Sequence, residues 1–179
     1  MLLITIPARE MFDDRTQTFL TEKAQTLQLE HSLVSLSKWE SKWCKAFLSK
    51  EEKTNEETLD YIRCMTITQN VDPSVYNRLT RANIDEIQAY ISAPMTATTF
   101  RENINKGSSE ITTAELIYYW MISLNIPMEC QKWHLNKLLT LIRVCNIKNT
   151  PPKKMNKRDV INNYAALNAA RRKQNNTKG

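Results

Sequence analysis

The sequence predicts a mainly α (α+β) protein, with a small N-terminal antiparallel sheet, a compact bundle of about five or six helices and a basic C-terminal helix. Period-two alternation of apolar residues is confined to roughly the first 37 residues, whereas apolar residues recur at helical spacing from Lys38 onward. A hydrophobic fraction of 41%, with four Trp, six Tyr and four Phe residues, is typical of a globular protein with a core. We therefore expect one globular domain over residues 1–149, with its β element at about 1–37 and its helical body at about 38–149, and an arm at 150–179.

Two segments near the N-terminus predict strands. Residues 2–6 are mostly apolar and are stopped by Pro7, as is typical of a short strand. Residues 26–33 alternate apolar and polar side chains, and residues 33–36 are expected to continue that strand or to pair back on it. A sheet of two to four strands follows, with His31 expected on its exposed face.

Short helices are predicted between Lys38 and an exposed loop at residues 94–109. Trp39 and Trp43 are four residues apart on one helix face, and aromatic residues at this spacing pack in a core more often than they form a stacking platform for bases. Further helices are expected to begin at Thr54 or Asn55, at Pro73 and at Asn83 or Asp85.

Two strongly apolar helices are predicted in the second half of the body. Residues 112–115 match a capping box in front of the apolar residues 116–126, which are expected to form a central helix. A proline ends that helix, and residues 129–147 are predicted to form the longest helix. We expect Trp120 and Trp133 to be buried between the two.

The C-terminal segment carries the positive charge of the chain. Residues 148–179 hold nine basic side chains and one acid, a charge of +8, whereas the whole chain carries +6 and residues 1–147 therefore −2. Pro151 and Pro152 separate the body from the arm, because prolines lack an N–H and hold the residues before them extended. Residues 159–173 predict a basic helix with an apolar stripe of Val160, Ile161, Tyr164 and Leu167.

Several kinds of chemistry lack their characteristic residues. The chain has two glycines, too few for the glycine-rich loops that hold nucleotide phosphates. Cys130 and His134 would face the same way on a helix, but a structural zinc site needs two more ligands, and the four cysteines are expected to be reduced thiols. Adjacent acids such as Glu56 and Glu57 are expected to be solvated surface charges. We therefore expect no enzyme activity and no cofactor.

The hydropathy pattern bears on location. The apolar runs are shorter than the roughly 20 residues of a membrane span. The N-terminus lacks the basic residues that precede the apolar stretch of a secretory signal. We expect a soluble protein of the cytoplasm without a membrane partner.

Two interpretations of the arm remain open. As a docking segment, its apolar stripe enters a hydrophobic groove while the basic residues steer it towards an acidic surface, either of another protein or of a second copy of the chain through self-association. As a nucleic-acid arm, its basic residues neutralise phosphates. A purely nucleic-acid arm has no need of an apolar stripe, which favours protein docking. The predicted partner-binding residues are Tyr164, Leu167, Arg171, Arg172, Lys173, Lys153 and Lys154.

Two short motifs carry a family resemblance. They are residues 37–43, Ser-Lys-Trp-Glu-Ser-Lys-Trp, with the polar link that follows, and the ending at 166–173, Ala-Leu-Asn-Ala-Ala-Arg-Arg-Lys, with 176–179, Asn-Thr-Lys-Gly. In these motifs, in size and in helical content the chain resembles the tail assembly chaperones of tailed bacteriophages. The resemblance implies a non-enzymatic protein of the bacterial host cytoplasm that binds the tape measure protein and recruits tail-tube subunits.

Overall fold

The computed structural model describes residues 1–13, 15, 17–100, 111–150 and 157–176. The chain forms two compact units, Met1–Asn146 and Ile147–Gly179, which we describe separately. The predicted fold class is confirmed, because the chain is mainly α-helical with a small antiparallel β element at its N-terminus.

The N-terminal β element consists of two antiparallel pairs. Strand β1 (Leu2–Ile6) pairs with β4 (Gln25–Leu29), and β2 (Arg9–Asp13) pairs with β3 (Thr18–Glu22) in a hairpin between them. In the first pair Ile4 lies opposite Leu27, and both side chains are buried, as the period-two alternation requires.

Helix α1 (Leu33–Trp43) begins five residues earlier than the sequence analysis expected. The prediction that residues 33–36 continue a strand is wrong. Ser32 caps the helix, since its hydroxyl accepts from the Ser35 amide at 3.3 Å and the Ser35 hydroxyl accepts from the Ser32 amide at 3.0 Å. Leu33 and Leu36, three residues apart, then enter the core on the same helix face.

The next helices begin close to their predicted caps. Thr54 caps α2 (Asn55–Met65), and Pro73 opens a 3-10 turn over Pro73–Arg78. Helix α3 (Arg81–Ser92) begins after Thr80, slightly before the predicted start, and Asn83 serves as the third residue of its capping box.

The single helix predicted for residues 129–147 is divided into two elements. A 3-10 turn, Met128–Lys132, precedes helix α5 (Leu135–Asn149). The division falls where His134 forms an antiparallel bridge with Ser32 and the Leu135 amide donates to the His31 carbonyl at 2.7 Å. Pairing with a distant segment therefore replaces one turn of helix.

Helix α4 (Ala114–Ser123) follows Thr113, one residue later than the predicted cap. It buries Ala114, Ile117 and Met121 on one face, so it is not the fully surrounded central helix that the sequence suggested. The expectation that Trp120 and Trp133 are buried is also wrong: Trp120 is half-buried and Trp133 is 39% exposed.

The core fills the space between one face of the β1–β4 pair and the helices. The strands contribute four aliphatic side chains and helices α1 to α5 the larger apolar ones. Its most buried members are Ile4, Ile6, Leu27, Leu29, Leu33, Leu36, Trp39, Tyr61, Ile62, Met65, Ile87, Ala114, Ile117, Met121, Leu135 and Leu138. Across the described parts of the chain, no helix combines the length and apolar character that crossing a membrane requires.

Replacing Trp39 by Ala should lower the free energy of unfolding by about 3 to 5 kcal/mol, because the indole is fully buried and donates to the Glu57 carbonyl at 2.8 Å. Trp133→Ala removes the same side chain from a more exposed site and should cost less than about 1 kcal/mol. Urea unfolding of the two variants tests the assignment of the core, which equal losses would contradict.

Candidate docking site

Helix α6 (Lys157–Asn175) exposes large apolar side chains. Its 19 residues extend over about 28 Å. Ile161 is 67% exposed, Tyr164 66% and Leu167 49%. Single exposed apolar side chains are common, whereas a contiguous row of them is typical of an interaction surface.

Arg171 continues the row of apolar residues. Ile161, Tyr164 and Leu167 follow one another at intervals of three, and Arg171 is four residues beyond Leu167. Intervals of three and four keep side chains on one helix face. We call Ile161, Tyr164, Leu167 and Arg171 the docking stripe.

The predicted basic residues divide between the two sides of α6. By helical spacing, Arg171 lies on the docking stripe, Arg172 at its edge and Lys173 on the opposite face. Arg172 and Lys173 also occupy the last turn, where positive charge is favourable for the helix dipole. Lys153 and Lys154 lie outside the described residues.

A second apolar surface lies on α4, opposite its buried face. Tyr119 is 63% exposed and Ile122 66%, and Glu115, one turn before Tyr119, is exposed as well. These residues follow one another at intervals of four and three, so they share one face. We call Glu115, Tyr119 and Ile122 the α4 face. The apolar character of this helix predicted complete burial, so its exposed face was not predicted from the sequence.

A buried carboxylate holds the N-terminus of α4. Glu40, on α1, accepts from the Ala114 amide at 2.7 Å and from the Phe47 amide at 2.9 Å. Thr113 accepts from the Leu116 amide and supplies the cap. A negative charge at a helix N-terminus is favourable, so Glu40 fixes the position of α4 on the body.

An apolar groove of about 300 Å³ lies between α2 and α3. Most of its lining is aliphatic or aromatic, and Lys53 is the charged residue in its wall. The Lys53 ammonium lies 5.0 Å from the centre of the Phe47 ring. The apolar lining comprises Phe47, Tyr61, Ile62, Ile84, Ile87 and Ile91.

His31 and His134 meet in the interior, with ring centroids 5.1 Å apart. His31 is buried and forms a 2.6 Å hydrogen bond with the Tyr61 hydroxyl, so its predicted exposure is wrong. His134 follows the 3-10 turn, so the predicted alignment with Cys130 on one helix does not form. Within the described residues, no three His, Cys, Asp or Glu side chains are grouped to hold a metal ion.

Burial keeps both imidazoles neutral. Desolvation, together with the neighbouring His134, lowers the pKa of His31 from 6.5 to about 4. His134 Nε2 donates to the Tyr90 carbonyl at 3.0 Å and Nδ1 accepts from the Asn136 amide at 3.3 Å. Desolvation lowers the pKa of His134 as well. Both rings therefore contribute to the stability of the body as neutral, hydrogen-bonded groups.

The acids of α2 are not all solvated surface charges as predicted. Glu57 is buried and accepts from Lys45 at 2.6 Å and from the Thr54 amide at 2.8 Å. These hydrogen bonds lower the pKa of its carboxyl. Asp60 is also buried and accepts from Lys42 and from the Trp43 indole. The two carboxylates join α2 to α1 and to the segment that follows it.

The body should lose about 2 kcal/mol of unfolding free energy between pH 7 and pH 5 through His31. The pKa of this group is depressed in the folded state, so the unfolded chain takes up a proton from pH 6.5 downward while the folded chain resists until about pH 4. Urea unfolding at several pH values measures the slope. His31→Gln should flatten it, and an unchanged slope in that variant would contradict the assignment.

Two Leu→Ala changes should differ in their effect on the free energy of unfolding, one at a buried position in the core and one at an exposed position on α6. Leu138 is fully buried on α5, so Leu138→Ala should cost about 2 to 5 kcal/mol of unfolding free energy. Leu167→Ala removes the same atoms from an exposed position and should change it by less than about 0.5 kcal/mol. Chemical unfolding followed by Trp fluorescence checks both, and a large loss at Leu167 would count against an exposed stripe.

Comparisons of the chain with protein-family models, with curated proteins and with solved structures give no match.

Proposed function

We propose that this protein is a non-enzymatic assembly factor that captures a protein partner with α6. The observation that carries the proposal is the exposed docking stripe, in which two large anchor residues, Tyr164 and Leu167, stand in line with Arg171. Tyr and Arg are enriched among the residues that dominate binding energy, and an amphipathic helix inserted into a groove is a common mode of recognition.

The composition of α6 specifies the partner surface. The helix has five basic residues and one acid, a charge of +4, so the partner is expected to be acidic around an apolar groove. Long-range attraction between opposite charges mainly raises the association rate, whereas the buried anchors mainly slow dissociation. Most of the stability of a protein helix comes from packing of its apolar face, so docking also stabilises α6.

The resemblance to tail assembly chaperones supplies the class of partner. On that basis we propose that the protein acts in the cytoplasm of a bacterial host, where it binds the tape measure and tail-tube proteins of a phage during morphogenesis. The two motifs at residues 37–43 and 166–173 support this class. The second of them contains Leu167 and Arg171, which belong to the docking stripe.

Nucleic-acid binding is the second candidate. Its support is the charge of +8 over residues 148–179, with basic residues on both sides of the apolar part of the stripe. Each phosphate contact would release counterions, and affinity would fall steeply with salt. This hypothesis assigns no role to Tyr164 and Leu167.

A capture experiment with three forms of the protein tests the proposal. Wild-type protein is immobilised and then incubated with a lysate of phage-producing cells. It should retain the tape measure or tail-tube protein, which mass spectrometry identifies. Tyr164→Ala with Leu167→Ala should reduce capture by about tenfold or more, because two anchors are removed. Asn162→Ala with Ala166→Asn alters the opposite face of α6 by the same number of residues, keeps the composition of the helix and should leave capture unchanged.

A labelled DNA duplex distinguishes the second candidate. Protein docking predicts weak binding to the duplex that does not depend on Tyr164 and Leu167. Tight binding that weakens by orders of magnitude between about 50 and 200 mM salt, and that Arg171→Gln with Arg172→Gln reduces, would instead favour nucleic acid. Loss of capture in the arginine variant alone, with the apolar variant active, would overturn the docking proposal.

A further inference from the structure

The α4 face has the complementary pattern to the docking stripe. Along α4 the order is Glu115, Tyr119, Ile122, at intervals of four and then three residues. Read backwards along α6, the order is Arg171, Leu167, Tyr164, at the same two intervals. Both sets extend over about 10 Å of helix axis, so two antiparallel helices can match all three positions at once.

From this pattern we infer that the α4 face of one copy of the chain is a docking surface for α6 of a second copy. The inference rests on the proposed function of α6 as a docking helix and names a partner for it. In the antiparallel arrangement Arg171 pairs with Glu115, Leu167 packs on Tyr119, and Tyr164 packs on Ile122. Helices at 8 to 10 Å separation bring such side chains into contact.

The charges of Glu115 and Arg171 favour this pairing. Glu115 lies in the first turn of α4, and Arg171 lies near the C-terminal end of α6. In an antiparallel pair these two ends are neighbours, so both the ion pair and the interaction between the helix dipoles stabilise the contact. Within the parts of the chain that the structure describes, neither Glu115 nor Arg171 has an ion-pair partner.

Two other surfaces of the same protein fit α6 less well. Pairing α6 with a second α6 brings together two helices that each carry +4, and their repulsion opposes the contact. The groove between α2 and α3 has Lys53 as its charged wall residue, which has the same sign as Arg171. The α4 face is exposed, apolar and acidic, and residues 1–147 carry a net charge of −2.

Charge reversal provides the test, with full-length protein in sedimentation velocity at low salt over a series of concentrations. Wild-type protein should self-associate. Glu115→Arg and Arg171→Glu should each weaken self-association by about tenfold or more, because each places like charges in contact. Lys173→Glu makes the same change in net charge as Arg171→Glu, but on the opposite face of α6, and should associate like the wild type. Arg171→Glu and Lys173→Glu should keep the wild-type urea unfolding midpoint, since both side chains are exposed. Glu115→Arg should lower the midpoint only slightly, because it removes a favourable charge from the first turn of α4.

Mixing the two defective variants identifies the contact as one between copies. In an equimolar mixture, the arginine introduced on α4 of one variant meets the glutamate introduced on α6 of the other. The unaltered Glu115 and Arg171 of the two variants meet as well. Association should therefore return to within about threefold of the wild type. The variant that combines Glu115→Arg with Arg171→Glu should also self-associate.

Several outcomes would overturn the inference. They are a wild type that stays monomeric up to about 1 mM, an Arg171→Glu variant that associates as Lys173→Glu does, and recovery in the combined variant without recovery in the mixture. If the wild type is monomeric but its capture of a partner still depends on Tyr164 and Leu167, this inference is wrong and the proposed function stands. If the variant with Tyr164→Ala and Leu167→Ala changes neither self-association nor capture, both this inference and the proposed function are wrong.

Discussion

Residues 30–32 are the constraint on which the rest of the body depends. The Glu30 carboxylate accepts from the Tyr90 hydroxyl at 2.6 Å and so connects the end of β4 to α3. The His31 carbonyl accepts from the Leu135 amide and thereby sets where α5 begins. Ser32 caps α1. Three consecutive residues thus fix three helices against the sheet, and their bonds are buried or half-buried, so losing one leaves a polar group without water.

Buried carboxylates hold further helices of the body in place. Glu57 and Asp60 hold α2 against α1 and the segment that follows it, and Glu40 holds the start of α4. Each acid is paired or hydrogen-bonded, as a charge in a core must be. Because Glu40 fixes its N-terminus, α4 buries Ile117 and presents the opposite face to solvent.

The apolar side chains of the body and those of α6 differ in burial. The body buries its aliphatic side chains between the sheet and five helices, whereas α6 keeps three large apolar residues exposed. The docking stripe therefore adds little to the stability of the protein. The separation of charge follows the same division, with +8 in residues 148–179 and −2 before them.

Local signals in the sequence determined the fold class, the first strand, the caps near Thr54 and Pro73, and the basic helix with Tyr164 and Leu167, because periodicity and capping depend on residues within one or two turns. The sequence also contained the spacing that puts Arg171 on the stripe. Only the tertiary structure decided that His31 is buried, that the segment at 128–149 is divided, and that α4 keeps one apolar face in water. Each of these depends on pairing between segments far apart in the chain, about which the pattern within a single helix carries no information.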